Sequence, residues 1–289
     1  MMYHLLSFSV RVLSHIPFSV LYRLSDCLFY AVYYIVRYRR RIVRRNLTEY
    51  LADKEHKEIA VIEKRFYRFF VDMVLEGIKM ASMSRDEMKR RMKFKNLEEV
   101  NAVLGDGKSI GLYLGHYANW EWCSSIPLHL ESDALAVQIY HKLKSESMDR
   151  LMLYIREKMG AHCVDMRKTA HFVTKLIVEH KNCIIGFIAD QSPRWRDLRH
   201  FIPFLNHNVP VLTGPEKIIK HYGFEAFFLK TRRLKRGYYE AEFVRMCDNP
   251  QSLPDFELTS VYFDMLEQMI KENPELYLWT HNRFKHAKQ

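Results

Sequence analysis

A histidine and a carboxylate with four residues between them, in His116-Tyr-Ala-Asn-Trp-Glu121, are the side chains of this sequence best suited to forming a base. When a carboxylate accepts a hydrogen bond from one imidazole nitrogen, it fixes the tautomer and favours the charged ring. The other nitrogen is then left to take a proton from a hydroxyl. The run Ser109 to Leu114, followed by Gly115, has the length and apolarity of a buried strand, and Asn119 to Leu130 reads as a helix start. His116 is therefore expected at the end of a strand, where open α/β sheets bind their ligands. Residues five apart on one helix do not share a face, so a contact with Glu121 needs His116 in the turn and Glu121 in the first helical turn. A lone histidine beside an apolar strand is more often structural than catalytic, and the spacing alone leaves both readings open.

Further candidates stand at similar places. Asp190-Gln191 ends the apolar run Cys183 to Ala189, a second strand terminus from which polar side chains reach the same crevice, as the wall of a site or as plain structure. The loop Arg194 to His200 is rich in cations suited to phosphate or to solvent. In Val209 to Glu216, Thr213 or Gly214 lies near a helix cap with Pro215 in the first turn, and a helix start of this kind can hold an anion. The sequence has no H-E-x-x-H, G-x-S-x-G, G-x-x-x-x-G-K-[ST] or dinucleotide glycine pattern, so hydrolysis through zinc or an acyl-serine has no visible apparatus. Five cysteines, odd in number and without a C-x-x-C pair, argue against disulfides and structural zinc and suit a reducing compartment. Cys123, Cys163 and Cys183 read as small buried hydrophobes.

The elements that must position these groups follow from periodicity. At 289 residues the chain can bury a full core, read as one domain with an appendage. Residues 1–36 form a membrane anchor or interfacial helix, and residues 37–289 an acting body with a helical lead-in to 105 and an α/β core from 106. The stretch Met2 to Val36 is mostly Leu, Val, Ile, Phe and Tyr, interrupted by Arg11, His15, Pro17, Arg23 and Asp26. Its longest piece, Phe18 to Val36, can span a bilayer or lie flat on it. Six arginines in Arg37 to Arg45 follow, marking the flank that faces an anionic cytoplasmic surface. Up to Arg45 there are eight arginines and one acid, a net +7 of the chain's +11, so the rest is only mildly basic and nucleic-acid binding is not expected. Between Arg45 and Lys95 apolar spacing predicts two or three helices. After Gly105-Asp-Gly107, short apolar runs predict strands at Ile110–Leu114, Ala134–Tyr140, Cys183–Ala189, Ala226–Leu229 and Tyr238–Val244. Helices are expected at Ser145–Met159, Thr169–Glu179, Pro215–His221 and Leu258–Lys271. Strands alternating with helices predict an α/β fold with a mixed sheet flanked by helices.

These residues together resemble the late acyltransferases of bacterial lipid A synthesis, within the lysophospholipid acyltransferase group. His116-Tyr-Ala-Asn-Trp-Glu121 is similar to that family's His-Phe-Gly-Asn-Trp-Glu signature, with Ala118 replacing the usual Gly. The arginine segment ending Arg44-Arg-Asn-Leu47 resembles the family's run after its anchor. Ala189-Asp-Gln191 with Pro203-Phe-Leu205 and Thr213-Gly214 resembles its second block, and Leu278-Trp-Thr-His-Asn-Arg-Phe-Lys285 its closing Trp-x-His-Arg-Arg-Phe-Lys, with Asn282 replacing the first Arg. The resemblance covers nearly the whole chain. It implies a lysophospholipid-acyltransferase-like fold and a bacterial inner-membrane enzyme whose catalytic domain faces the cytoplasm. Such an enzyme moves a fatty acyl chain from acyl carrier protein, or coenzyme A, to a lipid hydroxyl with no further cofactor and no metal. In that mechanism His116 takes the hydroxyl proton and Glu121 orients the imidazole, while Asn119, Arg167, Asp190, Gln191, Thr213 and Arg283 are expected at the substrate. The competing readings are the same chemistry on an aminolipid, glycolipid or polyene hydroxyl, and a membrane-associated lipid-binding protein without turnover.

Overall fold

Asp26, one of the polar residues that interrupt the N-terminal apolar run, is accounted for by what that run packs against. The computed structural model describes residues 2–195 and 198–287. Helices α1 (Met2–Ser14) and α2 (Phe18–Tyr30) are separated at Pro17, and α2 continues into a π-helix, Ala31–Val36. Leu21, Ser25, Phe29 and Tyr33 recur every fourth residue and are buried, forming one stripe against α4 (His56–Lys79). Polar contacts fix this face as well. Ser25 donates to Asp72 at 2.6 Å, and Arg236 bridges Asp26 and Asp72, so Asp26 belongs to an ion-pair cluster. No helix among the described residues is long and apolar enough to cross a membrane. The outward side of the segment remains apolar, with Val20, Tyr30, Tyr34, Ile35 and Val36 exposed.

Helix α3 (Arg40–Tyr50) carries the arginines, and α4 and α5 (Arg85–Arg91) complete the helical lead-in. A seven-stranded sheet follows, with strands β1 (Met92–Lys95), β2 (Ile110–Leu114), β3 (Leu135–Tyr140), β4 (His162–Asp165), β5 (Cys183–Ile188), β8 (Glu225–Lys235) and β9 (Tyr238–Arg245), in the order β1-β9-β8-β2-β5-β3-β4. β9 pairs antiparallel with β8 and parallel with β1; the other neighbours are parallel. A separate hairpin joins β6 (Phe201–Phe204) to β7 (His207–Pro210) through Leu205-Asn206, both at positive φ, as a two-residue twist-matched turn requires. Helices α6 (Leu97–Gly105), α7 (Glu146–Glu157), α8 (Thr169–Val178), α9 (Gly214–Tyr222) and α10 (Glu257–Glu272) cover the sheet. β2 is buried at every residue and lies between β8 and β5, which is why it reads as an unbroken apolar run. Two close approaches fix the helices on it: a Cβ on Gly111 would lie 2.3 Å from Ile219 of α9, and one on Gly115 would lie 2.6 Å from Leu266 of α10.

Two expectations are corrected. The helix after Asn119 is a 3-10 helix, Trp120–Leu128, with Pro127 inside it; proline offers no N–H and its ring crowds the preceding turn, which disfavours an α-helix there. Cys123 and Cys183 are buried as expected, but Cys163 on the edge strand β4 is only half-buried.

Candidate active site

β2 and β5 are adjacent and parallel, so their carboxyl ends meet, and each delivers one half of an acid–imidazole pair. His116 follows β2 by two residues and Asp190 follows β5 by two. His116 Nδ1 lies 2.6 Å from Asp190 Oδ1, and the His116 backbone N–H donates to Oδ2 at 3.1 Å. Asp190 is 1% exposed whereas the imidazole is 19% exposed, so the acid forms the floor and the ring faces the cleft. Burial alone pushes the Asp190 carboxyl up. The His116 charge, the two His116 hydrogen bonds and the Arg283 charge outweigh it, and the carboxyl stays below its ordinary range. An ionised Asp190 only accepts, so Nδ1 carries a hydrogen, and in the neutral form of the ring it is Nε2 that presents the lone pair. Gln191 Nε2 stands 3.1 Å from that second nitrogen and donates to it. Trp120 sits edge-on to the ring, centroids 5.2 Å apart.

Glu121 does not orient the imidazole. Its carboxylate forms a two-pronged pair with Arg156 of α7 at 2.8 and 2.6 Å. The cause lies in the turn: Ala118 takes φ +50°, where the family signature has glycine, and its N–H reaches Leu276 O at 2.9 Å. The chain then enters the 3-10 helix with Trp120 against the imidazole and Glu121 directed to α7. Left-handed backbone costs an alanine roughly 1 kcal/mol.

The remaining expected residues divide. Asn119 is fully buried, donates to Glu76 Oε2 at 2.7 Å and accepts from Trp122 N at 3.3 Å. Arg283 is 2% exposed, with Phe204 and Phe263 ring centroids 5.8 and 5.6 Å from its guanidinium carbon. None of its side-chain nitrogens has a hydrogen-bond partner, and its charge helps to hold Asp190 ionised. Arg167 is exposed beyond the edge strand β4, where its backbone N–H is taken by Asp165. Thr213 precedes α9 without a side-chain cap bond. Neither has a described contact with His116 or Asp190. Asp190 and Gln191 are at the site, as the imidazole's own partners.

The closing segment frames the site. Leu278 N–H donates to His116 O at 3.0 Å, and Ser192 N–H donates to His281 Nε2 at 3.2 Å. Burial lowers the His281 pKa to about 4, even though Asp190 pulls the other way, so the ring is neutral and Nε2 can accept. Asn46 of α3 holds this segment through Trp279 O and His281 O at 3.0 and 2.9 Å. Arg156 and Asn46 had no local signal in the sequence, since their partners lie 35 and more than 230 residues away.

An apolar cavity of about 40 Å³ begins beside the site. Leu114 and Ile188, the last residues of β2 and β5, line it, and it runs between the sheet and the 3-10 helix past Gly186, Cys123, Ala136 and Ala161.

A search of curated proteins returns no match. The family model described as bacterial lipid A biosynthesis acyltransferase matches residues 1–286. The match takes in the arginine helix, both strand ends and the closing segment, the same parts that meet around His116, and on this ground the chain belongs to the bacterial lipid A biosynthesis acyltransferase family.

Proposed function

We propose that this protein transfers a fatty acyl chain from an acyl carrier protein or coenzyme A thioester to a hydroxyl of a lipid A precursor, with His116 as general base and Asp190 as its orienting carboxylate. The observation that carries the reading is the 2.6 Å contact between Asp190 and His116 Nδ1, which puts a hydrogen on Nδ1 and makes Nε2, on the cleft side, the atom that takes a proton when the ring is neutral. In the reaction the acceptor O–H takes the place of Gln191 at Nε2. Its proton passes to the ring as the oxygen attacks the thioester carbonyl carbon. The tetrahedral oxyanion collapses to the ester and expels the thiolate, which takes the proton back from the imidazolium. The Gln191 amide, displaced from Nε2, is a donor close enough to serve the oxyanion. The apolar lining that begins at Leu114 and Ile188 supports entry of the acyl chain there, with the small cavity of about 40 Å³ widening as the chain enters. Exposed Tyr34, Ile35 and Val36 next to Arg37 and Arg41 support work on the cytoplasmic face of a bacterial inner membrane, where the acceptor lipid lies.

The test is acyl transfer from a labelled carrier-protein thioester to a lipid A precursor. His116→Ala should remove product to background. Asp190→Asn, whose amide donates to Nδ1 and so forces the proton onto Nε2, should lower turnover by about 10³–10⁴. Equal product from wild type and His116→Ala would defeat the assignment.

A further inference from the structure

We infer that Glu76, a buried carboxylate of α4, is a positioning residue for the His116 turn and makes the N-terminal helix α2 part of the active-site support. Glu76 has no solvent exposure. Its Oε1 accepts from Tyr22 of α2 at 2.8 Å, and its Oε2 from Asn119 at 2.7 Å and from Tyr239 of β9 at 2.8 Å. Its backbone carbonyl accepts from Trp122 Nε1 at 3.3 Å. One residue therefore grips the signature turn at both Asn119 and Trp122, with Trp120 and Glu121 between the two grips. Those two residues make the contacts that matter: Trp120 on the imidazole and Glu121 on Arg156. A displacement of Asn119 moves both.

A simpler account makes Glu76 an ordinary buried acid that contributes only to stability. Burial works against it, raising its pKa, with Asp72 adding to the effect and the three donors opposing it. An apolar side chain of the same size would fill the space at lower desolvation cost. What a carboxylate adds over such a side chain is direction, because its two oxygens fix three donors from three different elements at once. Tyr22 is one of those donors, so the docking of α2 reaches the base through Tyr22, Glu76 and Asn119, and from Asn119 along the chain to Trp120 and so to His116.

The experiment compares Glu76→Met, Glu76→Gln and Tyr22→Phe with wild type. It reads thermal stability, kcat and KM for a carrier-protein thioester, and the rate at which diethyl pyrocarbonate modifies His116, followed by peptide mass spectrometry. Methionine fills the space and removes both acceptors. Glutamine keeps a carbonyl for Asn119 and Tyr239 and turns its NH2 to the Tyr22 oxygen. Phenylalanine keeps the ring and removes one donor. We expect faster His116 modification in the Met and Phe variants and a rate close to wild type in the Gln variant. In the Met variant kcat should fall about tenfold or more at little-changed KM. Folded Met and Phe variants that modify at the wild-type rate, or a loss of activity that matches only the loss of folded protein, would overturn the inference. The kinetic arm rests on the proposed acyl transfer and the modification arm does not. A wild type without turnover thus refutes the function while the positioning role is still read, and Tyr22→Phe serves if the Met variant does not fold.

Discussion

Two imidazoles do different jobs in this protein, and the side chain each one meets decides which. His116 meets a buried carboxylate at Nδ1 and turns Nε2 toward Gln191 and the cleft; His281 accepts a backbone N–H from Ser192 and is held neutral mainly by burial. The second case makes a pH prediction with a definite sign. The folded pKa of His281 is about 4 against an ordinary 6.5, so folding favours the neutral ring. Its contribution to stability is complete above pH 6.5 and is lost as pH falls toward 4, because protonation also breaks the Ser192 bond. The unfolding free energy should decline over that window by at most about 1.4 kcal/mol per pH unit for this one proton. His281→Gln should flatten the decline, as read by chemical denaturation at a series of pH values; an unchanged slope would show that His281 is not linked to folding. At this scale His116 was legible from its place after an apolar run, and Asp190 from its place after another. Their partnership was not, because strand adjacency is a long-range fact while the four-residue spacing to Glu121 is a local one. The left-handed turn at Ala118 sends that nearer acid to Arg156.

Strands that are long, apolar and central could be read, and those that are short or at an edge could not. β2, β5 and the core of β8 and β9 lie where unbroken apolar runs predicted them, and helices α7 to α10 fall within a residue or two of expectation. β1, β4, β6 and β7 are four residues each, too short for alternation to stand out from loop sequence. Within the central elements Gly186 is the informative residue. It interrupts an otherwise bulky strand, and a Cβ there meets only ordinary contacts, 3.6 Å to Leu114 and 3.7 Å to the Val137 carbonyl. It lines the apolar cavity that begins beside His116, so the position accommodates a Cβ and a longer side chain there projects into that space. With acyl donors of graded length, Gly186→Leu should leave kcat/KM for short chains near wild type. Longer donors should lose about 0.8 kcal/mol, roughly fourfold, for each methylene denied burial. An unchanged chain-length preference would place the acyl chain elsewhere.

At the scale of the whole molecule, charge and apolar exposure coincide at one end. Residues 1–45 hold +7 of the net +11, and Phe8, Ile35 and Val36 are 67, 79 and 67% exposed beside exposed Arg37 and Arg41. The composition revealed this end but not its orientation: Asp26, which read as an interruption of a span, lies with Tyr22 and Ser25 on the side of α2 that binds α4 and Arg236. That side is committed to protein, so under the proposed function the outward stripe is the side that would meet lipid, with the segment lying in the interface and not crossing it. The full-length protein should then float with vesicles containing anionic phospholipid far more than with neutral ones. Binding should weaken as salt rises from about 0.1 to about 1 M, where the screening length drops from about 10 to 3 Å. Arg37→Gln with Arg41→Gln should cost about 1 kcal/mol per charge, roughly thirtyfold together, and only at low salt. Ile35→Glu with Val36→Glu should weaken binding at every salt concentration, because it removes buried apolar area. Alkaline carbonate should release the wild type from vesicles. Retention after carbonate would mean a crossing segment, and equal flotation with neutral and anionic vesicles would remove the role given to the arginines.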